Sequence, residues 1–336
     1  MKWSNVLKYF ISLVLAGVLF YLVFRDISLD DFISRLKYVN YWWVLLSIGL
    51  AIVSHWLRAY RWNLMLKPFG YHLKTHRTFL AVMSGYLANL ALPRLGEITR
   101  CGLLKKNDSV SMSTAFGTVV IERLIDFMIL LGLIMLDFII EFDKIYNYFL
   151  DSVGWTNIED HATSIYLSII VIISLGVIGI LILKNLLVKE FSHPTLNKIN
   201  QKLNDLVQGF LSIRNIENIP GFIYSTFGIW IAYFLMSYVI FFSMPETSNL
   251  TIGAGLSILA AAGVAMAAPV QGGIGAYHAL VSGVLMIYGV GDTTSKFFAT
   301  MLHTSQVIFI LVFGGACMFI STFISKKNQT DLGSKP

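Results

Sequence analysis

An all-α, polytopic integral membrane protein is what this sequence predicts, and three observations carry the prediction. Of its 336 residues, 56% are hydrophobic and only 13% charged, against about 25% charged in a soluble domain. The apolar residues fall in long blocks, and the mean hydropathy is +0.70. Lys and Arg gather in some of the intervening loops and acids in others, as they do on the two sides of a bilayer. The formal net charge of +6 therefore points to cytoplasmic loops and anionic lipid, and not to nucleic acid.

The apolar runs follow in order. Tyr9–Phe24 ends at Arg25 with no small-residue cleavage pattern, so an uncleaved span is expected. Tyr41–Trp56 opens on the interfacial aromatics YWW, Phe79–Leu92 is short, and Ala115–Ile140 carries charges in its first half. Then come Ile165–Leu183, Phe222–Met244, Ile252–Ala268 (closed by Pro269), Ile274–Val290 and Phe297–Ile324. Two further segments read as interfacial helices. SLDD at Ser28–Asp31 is a capping-box pattern opening Leu29–Val39, and Leu196–Ile213 has apolar residues at helical spacing.

Loop charge sets the expected topology. Arg58, Arg61, Lys67, Lys74 and Arg77 follow the second run, five basic residues lie between Lys184 and Arg214, and Lys326 and Lys327 follow the last run. The loop 141–161 holds one lysine against five acids. The N- and C-termini are therefore both expected inside. Parity then forbids Phe79–Leu92 from crossing alone, because Arg100, Lys105 and Lys106 must stay inside. It pairs with Gly96–Leu104 as a re-entrant hairpin or stays shallow. The runs on either side of PVQGGIG form a second hairpin of opposite orientation, by full crossing or by re-entry. The expectation is about six to eight transmembrane helices with two oppositely oriented re-entrant or short helical hairpins. One domain covers residues 1–325, and 326–336 form a polar, disordered tail.

Four groups of residues bear on chemistry. In NLALPRLGEITR, Pro93 is expected to end one arm and Gly96 to allow the turn, with Arg94, Glu97 and Arg100 at a polar interior. In IERLID, Glu122 and Asp126 share one helix face and Arg123 points about 100° away. Ionisable residues inside a span pair with one another or line a cavity, and Arg94 and Arg100 are the expected partners of the two acids. In AAPVQGGIGAYH, glycines permit a sharp turn, and Gln271 and His278 are polar groups near membrane depth. His72 and His76 have the i,i+4 spacing of metal ligands, without a third ligand nearby; a wet interfacial loop is the simpler reading. Each charged group also has a purely structural reading, as a buried ion pair or as snorkelling side chains. Cys101 and Cys317 lie far apart and read as buried small hydrophobes. No cofactor or metal is expected. In both hairpins the second arm starts just after the break, so helix N-termini converge there, an arrangement suited to a phosphate.

LPRLGEITR, ERLID and PVQGGIG, in this order and with RAYRW at Arg58–Trp62, resemble the lysylphosphatidylglycerol synthase transmembrane-domain family. This flippase-like family includes the flippase half of the multiple peptide resistance factor. The resemblance spans roughly residues 5–325. It implies a multi-pass protein of the bacterial inner membrane that moves an anionic or modified lipid between leaflets. The candidate site residues it carries over are Arg94, Glu97, Arg100, Glu122, Arg123, Asp126 and the turn Gly272, Gly273 and Gly275; Gln271 and His278 join them from the reading above. Many members carry an acid where His278 stands. The aminoacyl-transferase domain of the full synthases is not in these residues, so transport without synthase activity is expected. Membrane lipids with phosphate headgroups are the expected partners, with a homo-oligomer or an envelope-synthesis complex open. The rival readings are a membrane-embedded lipid-modifying enzyme and a non-catalytic scaffold subunit.

Overall fold

The computed structural model describes residues 18, 21, 29–144, 146–147, 216–268 and 270–333. Residues 1–142 with 216–336 form one compact unit and 143–215 another; the fold and site below belong to the first. The runs Tyr9–Phe24 (Val18 and Tyr21 apart) and Ile165–Leu183, the segment Leu196–Ile213, the cap residue Ser28 and Pro269 lie outside the described residues.

Every described element is helical. In chain order they are α1 (Leu29–Leu36), α2 (Tyr41–Leu66), α3 (Thr75–Ala91), α4 (Leu95–Asp108), α5 (Met112–Ile140), α6 (Ile219–Val239), α7 (Ile252–Ala267), α8 (Ala276–Ile287), α9 (Asp292–Phe309) and α10 (Gly315–Gly333). Local signals start the long ones. The side chains of Asn40, Ser111, Asn218 and Thr251 accept the N–H of Trp42, Thr114, Gly221 and Ala254 and so cap α2, α5, α6 and α7. A π-turn, Ile310–Gly314, joins α9 to α10. Helix α10 runs through Gly333.

Three stretches are long and apolar enough to cross a membrane: Tyr41–Phe69, Ile219–Ser243 and Asp292–Ile324. Helix α5 has 29 residues, but Glu122, Arg123, Asp126 and Asp137 interrupt its apolar character. Helix α2 runs ten residues past the expected end at Trp56 and so takes in Arg58 and Arg61. These two are helix residues buried in the core, and not loop charges facing water. Arg77, also counted there as a loop charge, lies in α3 and pairs with Asp108 at the end of α4 (2.5 Å).

Helices α2 and α6 pack antiparallel: Ser47 Oγ donates to Met236 O (2.9 Å), and Leu57 fills the space over Gly228. Helices α5 and α7 also run antiparallel. Leu130, Asp137 and Glu141 lie against Gly263, Ser257 and Gly253 respectively. Ser257 Oγ donates to Asp137 (2.7 Å) and lies 2.9 Å from the Tyr288 hydroxyl of the turn after α8. The apolar core has two main centres, one around α2 to α5 with Trp62, Leu66 and Leu104, the other around α6 to α9 with Phe241, Ile258, Phe297 and Phe298.

Helices α3 and α4 form the first hairpin, and its turn differs from the expected one. Arg94, not Gly96, takes the left-handed conformation (φ 65°). Gly96 instead lies within α4, where its backbone touches that of Gly85. A Cβ on Gly96 would lie 2.2 Å from Gly85 O, and one on Gly85 would lie 2.9 Å from Gly96 O. Asn89 Oδ1 accepts the Gly96 N–H at 2.7 Å and locks the crossing. Gly96→Ala must therefore separate two backbones. We expect it to destabilise the protein by about 1–3 kcal/mol, seen as a lowered melting temperature in detergent, whereas Gly102→Ala, on the open side of α4, leaves it unchanged.

Candidate functional site

Two acids on the α5 face that meets α2 and α4 organise the site. Glu122 is wholly buried, and Asp126, one turn on, is nearly so. Helix α2 supplies two of their partners. Arg58 Nη1 contacts Glu122 Oε1 and donates to Asp126 Oδ2 (2.9 Å), and Arg61 Nη2 donates to Asp126 Oδ1 (2.8 Å). Helix α4 supplies the third, since Arg100 Nη1 donates to Glu122 Oε2 at 3.1 Å. The three arginines are 3%, 0% and 4% exposed. Burying guanidinium groups this deeply requires such pairing. The positions follow from helical geometry: Arg58 and Arg61 are i,i+3 on α2 and Glu122 and Asp126 are i,i+4 on α5, so each pair faces one way. Trp62 supports the cluster, with its ring 4.7 Å under the Arg100 guanidinium and its Nε1 donating to Thr118 (2.9 Å). Tyr233 of α6 accepts from Arg58 Nη2 (3.1 Å).

The charges do not balance. Three guanidinium groups meet two carboxylates, which leaves a formal excess of one positive charge. Arg58 Nε, Arg61 Nε and Nη1, and Arg100 Nη2 are buried without a hydrogen-bond partner. Beside the cluster lies a small open recess with a cavity volume of about 10 Å³, room for about one water molecule, lined by Tyr86, Asn89, Glu97, Arg100 and Arg123 together with Val82, Gly85 and Gly96. Arg123 donates to Glu97 Oε1 (2.7 Å) across its rim.

The site residues expected from sequence thus fall into two groups. Glu97, Arg100, Glu122, Arg123 and Asp126 converge. Arg94 does not join them: it is exposed at the α3–α4 turn, with left-handed backbone, and makes no ion pair among the described residues. The partners expected to come from Arg94 come instead from Arg58 and Arg61. The available signal was RAYRW itself, two arginines on one helix face matching two acids on another.

The second break is built separately. Gly272, Gly273 and Gly275 all have positive φ (58°, 75° and 83°), which glycine adopts without strain. His278 Nδ1 accepts the Gly275 N–H (3.2 Å), and His303 Nε2 donates to Gly272 O (2.8 Å). His278 is thus a cap on its own helix. Gln271 reaches the first break: its Nε2 donates to Leu90 O (3.0 Å) and Ala91 O (2.7 Å), two terminal carbonyls of α3. The two glycine-containing breaks are in direct contact. His72 and His76 are exposed, and Cys101 and Cys317 are buried and unpaired.

A bundle of apolar helices with a buried arginine–carboxylate cluster defines a polytopic membrane protein. Residues 9–314 match the lysylphosphatidylglycerol synthase TM region, and the chain belongs to that family. Two UPF0104 membrane proteins of Methanocaldococcus jannaschii are similar to it. One is 30% identical over 125 residues, 36% of this chain and 37% of the relative; the other is 26% identical over 239 residues, 70% of this chain and 93% of the relative. The match to the first thus spans little more than a third of that relative's length. No solved structure matches.

The geometry separates architecture from chemistry. Glu122→Gln leaves three buried guanidinium groups facing one carboxylate, and a loss of about 3–5 kcal/mol in stability is expected. Arg123→Ala breaks a pair whose arginine side chain is 46% exposed; such pairs contribute about 0–1 kcal/mol, so its melting temperature should stay close to wild type.

Proposed function

We propose that this protein moves a lipid between the leaflets of the cytoplasmic membrane, as a flippase or transporter. The lipid is an anionic or modified phospholipid, a glycophospholipid or a polyprenyl-linked lipid, and its phosphate is the group recognised. The observation that carries this reading is the unbalanced cluster of Arg58, Arg61 and Arg100 against Glu122 and Asp126, in which Arg100 keeps Nη2 unpartnered and lines the adjoining recess. An excess cationic charge in a low-dielectric setting attracts an anion, and guanidinium is matched to phosphate geometry. The acyl or polyprenyl chains stay in lipid while the headgroup enters at the recess, which must widen to admit it. On the topology expected from loop charge, with both termini inside, the basic end of α4 at Lys105 and Lys106 faces the cytoplasm, and the recess, lined by Gly96, Glu97 and Arg100 near the other end of α4, lies deeper in the membrane.

Arg100 and Arg123 hold the phosphate in this reading. Glu97, bound to Arg123, is displaced from it or takes an amine or hydroxyl of the headgroup. Contact between the two breaks through Gln271 gives the second hairpin a route to the first, as alternating access requires.

The test is a proteoliposome assay with labelled phospholipids. Arg123→Ala should fold normally and move an acidic phospholipid at least about tenfold more slowly, as expected for losing one charge-assisted hydrogen bond of about 1.5–3 kcal/mol. Arg94→Ala, at the exposed turn, should have the smaller effect. Equal rates for wild type and Arg123→Ala would remove the recess from the mechanism.

A further inference from the structure

His55 has no task in the site as described, and its surroundings are unusual. It lies on α2 one turn before Arg58 and eleven residues before Leu66. At 1.5 Å per residue that is about 16 Å from the helix end, near half-depth in a hydrocarbon core of about 30 Å. The residue is 5% exposed, and its Nδ1 is buried without a hydrogen-bond partner. Its ring packs between two others, Tyr86 at 4.5 Å between centroids and Phe309 stacked at 5.9 Å. Tyr86 also lines the recess beside Arg100 and Arg123, so one ring touches both that recess and His55. A second unpartnered buried donor, Trp230 Nε1, belongs to the same level of the membrane. The antiparallel pairing that sets Gly228 against Leu57 and Met236 beside Ser47 brackets it there.

A buried polar atom without a partner destabilises the fold that carries it. Phenylalanine would fill the same ring-lined slot between Tyr86 and Phe309 without that penalty. The imidazole therefore does nothing for packing that an apolar ring would not do. What it adds is a neutral hydrogen-bond donor, available at Nδ1 in one of its two tautomers, one turn deeper than the arginines. A phosphate that has left Arg100 and Arg123 needs such a donor in an apolar interior, and it needs one that lets go. Passage requires sites strong enough to enter and weak enough to leave, which a neutral imidazole satisfies better than another guanidinium.

We propose that His55 is a second, mid-membrane binding site for the phosphate of the transported lipid, reached when Tyr86 turns aside. The proposal rests on the transport reading above, and the experiment separates the two. Wild type, His55→Phe and His55→Gln are reconstituted in vesicles of phosphatidylcholine and phosphatidylglycerol, and translocation of acyl-labelled phosphatidylglycerol is followed by quenching of the outer leaflet. Binding of short-chain phosphatidylglycerol in detergent is followed by the shift in melting temperature. His55→Phe should translocate at least about tenfold more slowly, bind the short-chain lipid as wild type does, and melt at or above the wild-type temperature. His55→Gln, which restores a donor, should recover part of the rate. Inorganic phosphate added to the buffer should leave all rates unchanged; inhibition of the wild type by it would assign the site to the free ion and overturn the lipid assignment. A wild-type rate in His55→Phe overturns the proposal alone, as does a lowered melting temperature in both variants, which would make His55 a packing residue. A wild type that moves no lipid overturns the transport reading, and this site with it.

Discussion

The neutralisation of Glu122 and Asp126 by arginines from two other helices is the constraint on which this half of the molecule depends. A carboxylate or guanidinium at mid-helix in a bilayer costs about 2.5–3.5 kcal/mol on insertion scales, and α5 carries Glu122, Arg123 and Asp126 within five residues. It cannot sit stably in lipid by itself. Arg58 and Arg61 bring α2 to it, and Arg100 brings the whole α3–α4 hairpin. Packing then follows: Trp62 closes over Arg100, Thr118 holds Trp62, and the apolar cluster of Ala59, Leu66, Val82 and Leu104 fills the remainder.

At the other end of α5, Asp137 and Glu141 meet glycine and serine of α7. One helix thus touches the first hairpin through charge at one end and the second through small residues at the other. Together with the Gln271 contact, this makes the two breaks neighbours in a single unit.

The elements best read from sequence were those that obey one rule at a time. Hydropathy places α5, α6 and α7 closely, and Pro93 and the glycines at 272, 273 and 275 mark the two helix breaks. Arg58 and Arg61 escape a hydropathy reading for a physical reason. A hydropathy window ends a span at the first strong charge, whereas a helix continues wherever its charges find partners on a neighbouring helix, and that neighbour lies some sixty residues away in sequence. The same long-range pairing hid the fate of Arg94: it is as charged as Arg100 and only six residues earlier, but it sits at a turn and Arg100 on a buried face. The sequence marks Gly96 as special without showing the cause. A glycine serves a turn or a close approach equally well, and only the facing Gly85 distinguishes them.

The contact between Gly85 and Gly96 has a mechanical side. Two helices whose backbones touch have no side-chain layer between them to shear or compress, and Asn89 pins the crossing by a hydrogen bond to one of the two backbones. The first hairpin is consequently a stiff lever, with its arginine-bearing face fixed relative to its tip. A movement that preserves this contact carries the tip and Arg100 together.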